Sequence, residues 1–309
     1  HKKVTNGENN ETYLNRFKII LNELEICKGV NSIMKILITG ANGYLGSGIV
    51  KKLLDNGCDV IAADFDLSNV DNRAQKMKCN LFEIKNPYQY FDEPDCLLHL
   101  AWRDGFVHFS EHHIKDFPLH FEFIRKMAEA GIKKISVMGT MHEIGFIEGS
   151  IDETTPCNPQ SYYGIAKNAL REATQLLAQQ NNNVFQWLRG FYIVGNSVYG
   201  ASIFSKISQA VEKGQKEFPF TMGLNQYDFL DYEEFCDQVA ATVQQDEVNG
   251  IINICSGRPE KLADRVERYI RDNKFDIKLK YGVYPDRIYD SKAVWGNNDK
   301  IQQILKKAE

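Results

Sequence analysis

The sequence has no long hydrophobic run and no strong excess of charge of one sign. No apolar stretch approaches the roughly 20 residues that a membrane-spanning helix needs. The first residues, up to Tyr13, are polar, which argues against a secretory signal peptide. The 37 Lys and Arg residues against 41 Asp and Glu residues leave a net charge of −4. We therefore expect a soluble protein that binds neither membranes nor nucleic acid.

Paired cysteines and metal-ligand spacings are lacking as well. The 7 cysteines stand singly, with no CxxC pair and an odd total, so neither a disulfide framework nor a zinc site is expected. Four histidines crowd one segment, at positions 108, 112, 113 and 120. Metal binding there would need a further convergent ligand, so we interpret the segment as part of a substrate pocket. Reduced, buried cysteines are typical of the cytoplasm, which is the location that we expect.

What the sequence does have is the composition of an ordinary globular protein. Hydrophobic residues make up 43% and charged residues 25%, which excludes intrinsic disorder and a collagen-like fold. A chain of 309 residues is long enough for two domains, or for one large domain with an appended lobe.

Short apolar strands alternate with helices through the first two thirds of the chain. We predict strands at 35–39, 60–63, 96–101, 135–138 and 185–188, and helices at 45–56, 117–130 and 166–180. Strands that are apolar on both faces and alternate with helices indicate a doubly wound parallel sheet. After Gly190, glycines and prolines break the chain into short pieces, before a buried strand resumes at 250–256.

This pattern predicts an α/β protein, with a Rossmann doubly wound parallel sheet and a smaller, mostly C-terminal α/β lobe. Residues 1–33 would form an N-terminal extension with one amphipathic helix at 13–26. The nucleotide-binding domain would comprise residues 34–190 and also receive about 225–257, and the substrate-binding lobe would comprise residues 191–224 and 258–309.

A glycine-rich turn connects the first strand to the first helix. Residues 40–46 read G-x-x-G-x-x-G, and glycines at these positions let the chain turn sharply, approach a pyrophosphate and pack helix against strand. The helix N-terminus would offer free N–H groups to the phosphates. Asp64 ends the second strand, 24 residues after Gly40, where a carboxylate can bind both ribose hydroxyls and repel a 2′-phosphate. A lone aspartate could simply end a strand, but the turn, the strand and Asp64 together predict NAD(H) rather than NADP(H).

Three further residues have the spacing and chemistry for proton transfer. Tyr163 and Lys167 are four residues apart at the start of the long helix, so they share one helical face. A nearby ammonium lowers the pKa of a phenol toward the range that acid–base catalysis needs. Thr140 follows the strand at 135–138, and a hydroxyl at the carboxyl end of a central strand faces the ligand crevice. Tyr163 and Lys167 alone could be a chance pair on a helix, and Thr140 alone could be a turn residue. Together the three residues predict a catalytic set.

These features recur in order with others, and from about Met34 onward the chain resembles the extended short-chain dehydrogenase/reductases. This family comprises the NAD-dependent sugar-nucleotide epimerases, dehydratases and reductases. The resemblance is carried by TGANGYLG at 39–46, Asp64, HLAW at 99–102, Gly139-Thr140 with Gly145, YGIAK at 163–167, LRGFYIVG at 188–195, DFLDYEE at 228–234, NICSGRP at 253–259 and DRIYD at 286–290. Each match is weak by itself, but their occurrence in order is a strong signal.

The resemblance implies roles for individual residues. Thr140, Tyr163 and Lys167 would be the catalytic set. NAD(H) would be bound by Gly40, Asn42, Gly43, Tyr44, Leu45, Gly46, Asp64, Phe65, Asn80, Leu81, Leu100, Ala101 and Trp102, together with Tyr163 and Lys167. A nucleotide-sugar substrate would be bound by Arg103, His142, Tyr192, Tyr227, Arg258, Arg287 and Asp290.

Two departures from the family pattern bear on the reaction. Tyr192 and Tyr227 stand where the family often has Asn and Arg near the substrate phosphates. Met141 and His142 stand where the 4,6-dehydratases have the Asp and Glu that perform elimination, so dehydration is not expected. His142 is then either an acid–base group or a loop histidine that shapes the sugar pocket.

The stretch around Thr140 is most similar to 4-keto-6-deoxyhexose reductases of deoxysugar and surface polysaccharide biosynthesis. We therefore expect reduction of a nucleotide-linked 4-keto-6-deoxyhexose. A nucleotide-sugar 4-epimerase is the alternative, because nothing in the spacing separates the two reactions. A non-catalytic NAD-binding sensor is disfavoured, because Tyr163 and Lys167 are both present. The apolar residues along the helix at 166–180, together with the resemblance, indicate a homodimer.

Overall fold

The predicted alternation of strands and helices is present in the structure, a computed structural model that describes residues 33–195, 202–285 and 291–308. The chain divides into units of His1–Met34 and Lys35–Glu309, and every described helix and strand belongs to the second unit. The helix predicted at 13–26, and the candidate substrate ligands Arg287 and Asp290, lie outside the described residues.

Strands and helices are numbered along the chain. The strands are β1 (Lys35–Thr39), β2 (Asp59–Asp64), β3 (Gln75–Lys78), β4 (Cys96–His99), β5 (Lys134–Thr140), β6 (Gly149–Ile151), β7 (Val184–Gly190), β8 (Tyr192–Val194), β9 (Glu217–Pro219), β10 (Gln226–Asp231), β11 (Gly250–Ile254), β12 (Pro259–Lys261), β13 (Lys278–Lys280) and β14 (Ala293–Gly296). The helices are α1 (Tyr44–Asp55), α2 (Pro87–Tyr90), α3 (His112–Glu129), α4 (Tyr162–Asn181), α5 (Ile203–Glu212), α6 (Tyr232–Val243), α7 (Leu262–Asp272) and α8 (Asp299–Ala308).

The central sheet has seven strands in the order β11-β7-β5-β4-β1-β2-β3. All of its strand pairs are parallel. In β1, for example, Leu37 lies opposite Ile61 of β2 on one side and Leu97 of β4 on the other, and all three side chains are fully buried. Strands buried on both faces need a helix layer on each side, which is why the sequence alternates in this way.

Helices cover both faces of this sheet. α3 and α4 pack on each other, and their residues Phe123 and Leu170 share a core with Leu37 and Trp187 of the sheet. α1 packs on α6, which also contacts α8. Because alternate strand residues point to opposite faces, Ile36 and Ile38 of β1 face this second helix layer. The fold class expected from the sequence, a doubly wound parallel sheet, is therefore confirmed.

A second, smaller sheet of mixed direction lies toward the C-terminal half. Its path is β12-β10-β14-β6, with β8 paired to β10, and the β10–β12 pair is antiparallel. The buried carboxylate of Asp228 in β10 accepts hydrogen bonds from the N–H groups of Ser256, Gly257 and Gly296. Asp228 thus joins this sheet to the segment that follows β11. Helices α5 and α7 pack over the sheet through an apolar cluster of their own.

Some element boundaries differ from the sequence-based ones. β4 ends at His99 rather than at 101, and β3 was not predicted, because its sequence Gln-Lys-Met-Lys is that of a polar edge strand. β6 and β10 fall within the ranges assigned to the nucleotide-binding domain, yet they pair in the smaller sheet. A strand as short as β6 has too few residues to show which sheet it joins.

Within the described ranges, no helix combines the length and apolar character needed to cross a membrane. The six cysteines in those ranges are all free thiols.

Candidate active site

The glycine turn at the carboxyl end of β1 is closed by backbone contacts that exclude side chains. Gly40 has a φ of +70°, and a Cβ there would lie 2.7 Å from the backbone nitrogen of Ala101. A Cβ on Gly46 would lie 2.2 Å from the carbonyl oxygen of Gly40. α1 then begins after Gly43 with no side-chain cap, so its first-turn N–H groups are left for an anion.

Asp64 lies at the end of β2 beside this turn. Its carboxylate accepts hydrogen bonds from the N–H of Asn42 at 3.0 Å and from the N–H of Phe65 at 2.7 Å. The Asn42 side chain donates to Asp66 at 3.0 Å and accepts from the N–H of Asn69 at 2.7 Å, so it holds the turn itself. The Phe65 ring is exposed. A carboxylate at the strand end beside an uncapped helix fits the adenosine ribose and pyrophosphate of NAD.

The other candidate cofactor residues fall into three groups. Tyr44 is partly exposed and its ring packs on Tyr232 at 4.5 Å, while Leu45 is half-buried behind it. Asn80 caps the short helical turn Leu81–Glu83, and Leu81 is buried in the core. The segment Leu100 to Trp102 follows β4 directly, and the N–H groups of Leu100 and Ala101 donate to Thr39.

The structure brings the three candidate catalytic side chains together. Thr140 ends β5, and α4 begins at Tyr162 with the Ser161 hydroxyl accepting from the Gly164 N–H at 3.1 Å. This start places Tyr163 and Lys167 on the face of α4 toward β5, where the Lys167 ammonium donates to the Met138 carbonyl at 2.8 Å.

Burial shifts the acid–base properties of both helix residues. It raises the pKa of the Tyr163 phenol to about 12, with hydrogen bonding to the Thr140 side chain acting in the opposite direction. It lowers the pKa of Lys167 to about 7, which the negative charge of Glu143 partly opposes. A phenol in this setting needs a cation nearby to give up its proton near neutral pH.

Glu143 is a site residue that the sequence analysis did not single out. Its buried carboxylate accepts from the Thr140 N–H at 2.7 Å and from the Trp187 indole N–H at 2.8 Å. Arg189 and Arg171 lie 3.6 and 3.8 Å away, and burial raises the carboxyl pKa despite these cations. Glu143 and Thr140 form a capping box around the turn after β5, which fixes the Thr140 backbone. The T-x-x-E pattern at 140–143 is the sequence signal that could have revealed it.

Aromatic and imidazole rings surround Tyr163. His108 stacks on its ring with centroids 5.3 Å apart, and His113, His142 and Trp102 lie at 5.2, 6.1 and 6.3 Å. Burial lowers the pKa of His142 to about 4 and also lowers that of His108. In the described part of the chain no group of residues has the arrangement of a metal site. His108 and His113 of the histidine-rich segment therefore line the candidate site through ring contacts with Tyr163.

The candidate substrate ligands are more dispersed. Arg103 forms a two-pronged ion pair with Asp116. The rings of Tyr192 and Tyr227 lie 4.8 Å apart in the smaller sheet, and Tyr227 borders a cleft of about 1020 Å³. Arg258 is exposed at the start of β12 and does not line that cleft. The cleft is lined by α5 residues and by the Phe218–Thr221 segment.

The model of the NAD-dependent epimerase/dehydratase family matches residues 36–255. The chain belongs to this family. Its members use NAD, and the glycine turn, the uncapped α1 and Asp64 fit that cofactor. The sequence-based predictions of the family, of an NAD-dependent enzyme and of NAD(H) as cofactor are thereby confirmed.

Individual relatives span most of the chain. The dTDP-6-deoxy-L-talose 4-dehydrogenase (NAD+) of Aggregatibacter actinomycetemcomitans is 43% identical over 269 residues, covering 85% of this chain and 99% of that protein. The UDP-glucose 4-epimerase of Lacticaseibacillus casei is 29% identical over 180 residues, 52% of each chain. A solved structure of the UDP-N-acetylglucosamine 4-epimerase of Methanobrevibacter ruminantium M1, in complex with UDP-N-acetylmuramic acid, has a TM-score of 0.76 at 20% identity, covering 88% of this chain and 92% of that one. That structural likeness shows the shared fold.

Proposed function

We propose that the protein is an NAD(H)-dependent oxidoreductase that interconverts the 4-keto and 4-hydroxyl forms of a nucleotide-linked 6-deoxyhexose, acting as a 4-keto reductase in deoxysugar synthesis. The observation that carries the proposal is the convergence of Thr140, Tyr163 and Lys167 at the carboxyl end of β5. The identity to a dehydrogenase that acts at C4 of a 6-deoxyhexose nucleotide supports the choice of substrate.

In this proposal the residues of the first βαβ unit hold the cofactor. The glycine turn and the N-terminus of α1 bind the pyrophosphate, and Asp64 accepts hydrogen bonds from the adenosine ribose. When bound, NAD(H) supplies or accepts the hydride at the sugar carbon.

The protein's own residues then handle the proton and the geometry. Tyr163 gives its phenolic proton to the sugar oxygen in the reductive direction and takes it back in the oxidative direction. Thr140 orients that oxygen by hydrogen bonding, and its own position is fixed by Glu143. The charged form of Lys167 favours the phenolate of Tyr163, which lowers the pKa of the phenol toward the working pH.

Dehydration is not part of the proposal, because the two residues after Thr140 lack the carboxyl groups that would perform the elimination. Met141 is buried in an apolar cluster with Ile144 and Ile151, and it has no ionisable group. His142 is the one imidazole of this turn, and its ring lies over 6 Å from that of Tyr163. We assign it to the wall of the sugar pocket.

We further propose that the smaller sheet and its helices form the substrate lobe. The cleft of about 1020 Å³ is lined by Lys206 of α5, by Lys213 directly after that helix, and by the aromatic residues Phe218, Phe220 and Tyr227. Cations and flat rings suit the nucleoside diphosphate end of the substrate. The sugar end would then reach toward Tyr163.

A homodimer in the cytoplasm completes the proposal. α4 keeps Ile165 and Leu176 exposed on its outer face, with Ala169 and Ala173 between them at helical spacing. An apolar stripe of this kind fits a second copy of the chain. Free thiols are in keeping with a reducing compartment.

A 4-epimerase is the second candidate, since one relative and the solved structure both bear that name. The test supplies the purified full chain with NADH and a panel of nucleotide-linked 4-keto-6-deoxyhexoses, and follows NADH absorbance and product. One NADH consumed per product formed supports the reductase. Interconversion of 4-hydroxy sugar nucleotides without added cofactor would replace it with the epimerase, and no turnover of either class would contradict both.

A further inference from the structure

Lys167 has an aromatic neighbour to which the reaction scheme gives no part. The side-chain nitrogen of Lys167 lies 4.0 Å from the centroid of the Trp102 ring and donates one hydrogen bond, to the Met138 carbonyl. Lys167 is 2% exposed, and within the described ranges no carboxylate forms an ion pair with it. The π face of the indole is therefore the electron-rich surface in contact with the ammonium.

The indole is itself held in place from other directions. Its N–H donates to Nδ1 of His113 at 3.0 Å, and Nε2 of His113 lies 3.0 Å from the Val107 carbonyl. Because an indole N–H can only donate, Nδ1 of His113 accepts this bond, and Nε2 is the ring nitrogen left to donate to the Val107 carbonyl. His120 stacks on the indole with centroids 4.5 Å apart and a 20° angle between the rings.

This packing continues to the glycine turn. Nδ1 of His120 lies 2.9 Å from Nε2 of His99, and Nδ1 of His99 lies 2.8 Å from the Thr39 hydroxyl. Thr39 directly precedes Gly40. The Trp102 indole therefore belongs to a continuous series of contacts that runs from Thr39, beside the glycine turn, to Lys167 of α4.

We infer that Trp102 is a positioning residue for Lys167: its ring holds the ammonium over the site and favours the charged form by a cation–π contact. This inference rests on the catalytic role proposed above for Lys167. It differs from the cofactor contact expected from the sequence, because it assigns the indole to the lysine.

The expected change in the pKa of Lys167 is large enough to measure. A desolvated cation–π contact can change the pKa of a lysine by about one unit. Burial lowers the pKa of Lys167 to about 7, so at neutral pH a change of this size alters the charged fraction severalfold. The other titratable groups around Lys167 are Glu143 after β5, His99 of β4, His120 of α3 and Tyr163 of α4. Among them, Glu143 favours the charged form.

The direct test replaces Trp102, site-specifically, with tryptophans that carry one, two and three fluorine atoms. Fluorine withdraws electrons from the ring face with little change of shape. The ¹³Cε signal of Lys167, assigned with Lys167→Arg, is titrated by NMR in cofactor-free protein. We expect the pKa of Lys167 to fall stepwise, by about one unit in the most fluorinated protein. An unchanged titration across the series would overturn the inference.

Two substitutions extend the test to turnover. Trp102→Phe keeps a π face and removes the N–H donor, whereas Trp102→Leu removes the π face. The alkaline limb of the kcat–pH profile should move to lower pH in Trp102→Leu and much less in Trp102→Phe, with Trp295→Leu in β14 as the control.

The two readouts separate the two proposals. If the pKa of Lys167 follows Trp102 but the kcat profile does not, the inference stands and the role proposed for Lys167 is wrong. If Trp102→Leu does not fold, the fluorinated series decides. Equal shifts in Trp102→Phe and Trp102→Leu would assign the effect to the His113 hydrogen bond and contradict the inference.

Discussion

Tyr163 lies among four rings and next to the Thr140 hydroxyl, and burial raises the pKa of its phenol to about 12. Left alone, such a phenol would hold its proton throughout the physiological range. In the proposed mechanism, Lys167, one helical turn further along α4, supplies the charge that changes this. On that proposal, the local environment explains why a tyrosine and a lysine occur as a pair.

Tyr163→Phe removes only the hydroxyl from this arrangement. We expect turnover to fall by about 10²–10⁴-fold, which is the range for general acid–base groups, while NADH binding changes little. Tyr162→Phe is the matched control, because Tyr162 is the preceding residue and its ring is exposed. Wild-type kcat in Tyr163→Phe would remove Tyr163 from the mechanism.

Because His99 and His120 are buried, we expect the folded protein to lose stability in mild acid. Burial lowers the pKa of His99 to about 3 and that of His120 to about 2. Between about pH 6.5 and these values the unfolded chain binds more protons than the folded one, so the free energy of unfolding falls as the pH falls. At pH 5 each of these histidines should lower the free energy of unfolding by about 2 kcal/mol.

Urea unfolding at pH 7 and pH 5 measures this effect, in a window where most carboxylates stay ionised. His120→Asn should lose less stability over the same interval than the wild type does. Equal unfolding free energies at the two pH values would show that the pair is not held neutral.

At the scale of elements, the turn between β1 and α1 and the end of β2 act as one unit. Gly40 and Gly46 let the backbone close, and Asp64 is oriented by the N–H groups of Asn42 and Phe65. In the proposed cofactor site this carboxylate would accept hydrogen bonds from the ribose hydroxyls and repel a 2′-phosphate.

From this geometry we expect NADH to bind at least about tenfold more tightly than NADPH, since a 2′-phosphate beside Asp64 would meet like charge. Asp64→Asn keeps a hydrogen-bond acceptor for the turn and removes the negative charge. The affinities for NADH and NADPH should therefore become more similar. Parallel fluorescence titrations of both cofactors check this. Tighter binding of NADPH to the wild-type chain would contradict the assignment of Asp64.

These elements also show what the sequence could and could not predict. Apolar strands such as β1, and the glycine turn, leave strong local signals, so the parallel sheet and NAD as the cofactor could be derived. β3 is polar and β6 has three residues, so neither carries a pattern that specifies its partner. The capping pattern at 140–143 marks Glu143. Its contacts with Trp187 and Arg189, and the contact of the Trp102 indole with Lys167, join residues distant in sequence, which spacing alone does not reveal.

For the whole molecule, we expect two copies of the chain to associate through the outer face of α4. Ile165 and Leu176 are 43% and 61% exposed there, and Leu119 of α3 is 44% exposed. We expect a dimer by light scattering at micromolar concentration. Leu176→Lys should shift the mass toward the monomer, whereas Leu224→Lys, on an equally exposed leucine of the lobe, should not. A monomeric wild type would contradict the prediction.

In the proposed reaction, hydride moves between NAD(H) and C4 of a nucleotide-linked 6-deoxyhexose while Tyr163 moves the proton. The most direct measurement uses NADH carrying deuterium at the transferred position of C4, the purified chain and a nucleotide-linked 4-keto-6-deoxyhexose. We expect one deuterium at C4 of the sugar for each NADH oxidised, and almost none with Tyr163→Phe. A product without deuterium at C4, or sugar isomerisation with no NADH oxidised, would contradict it.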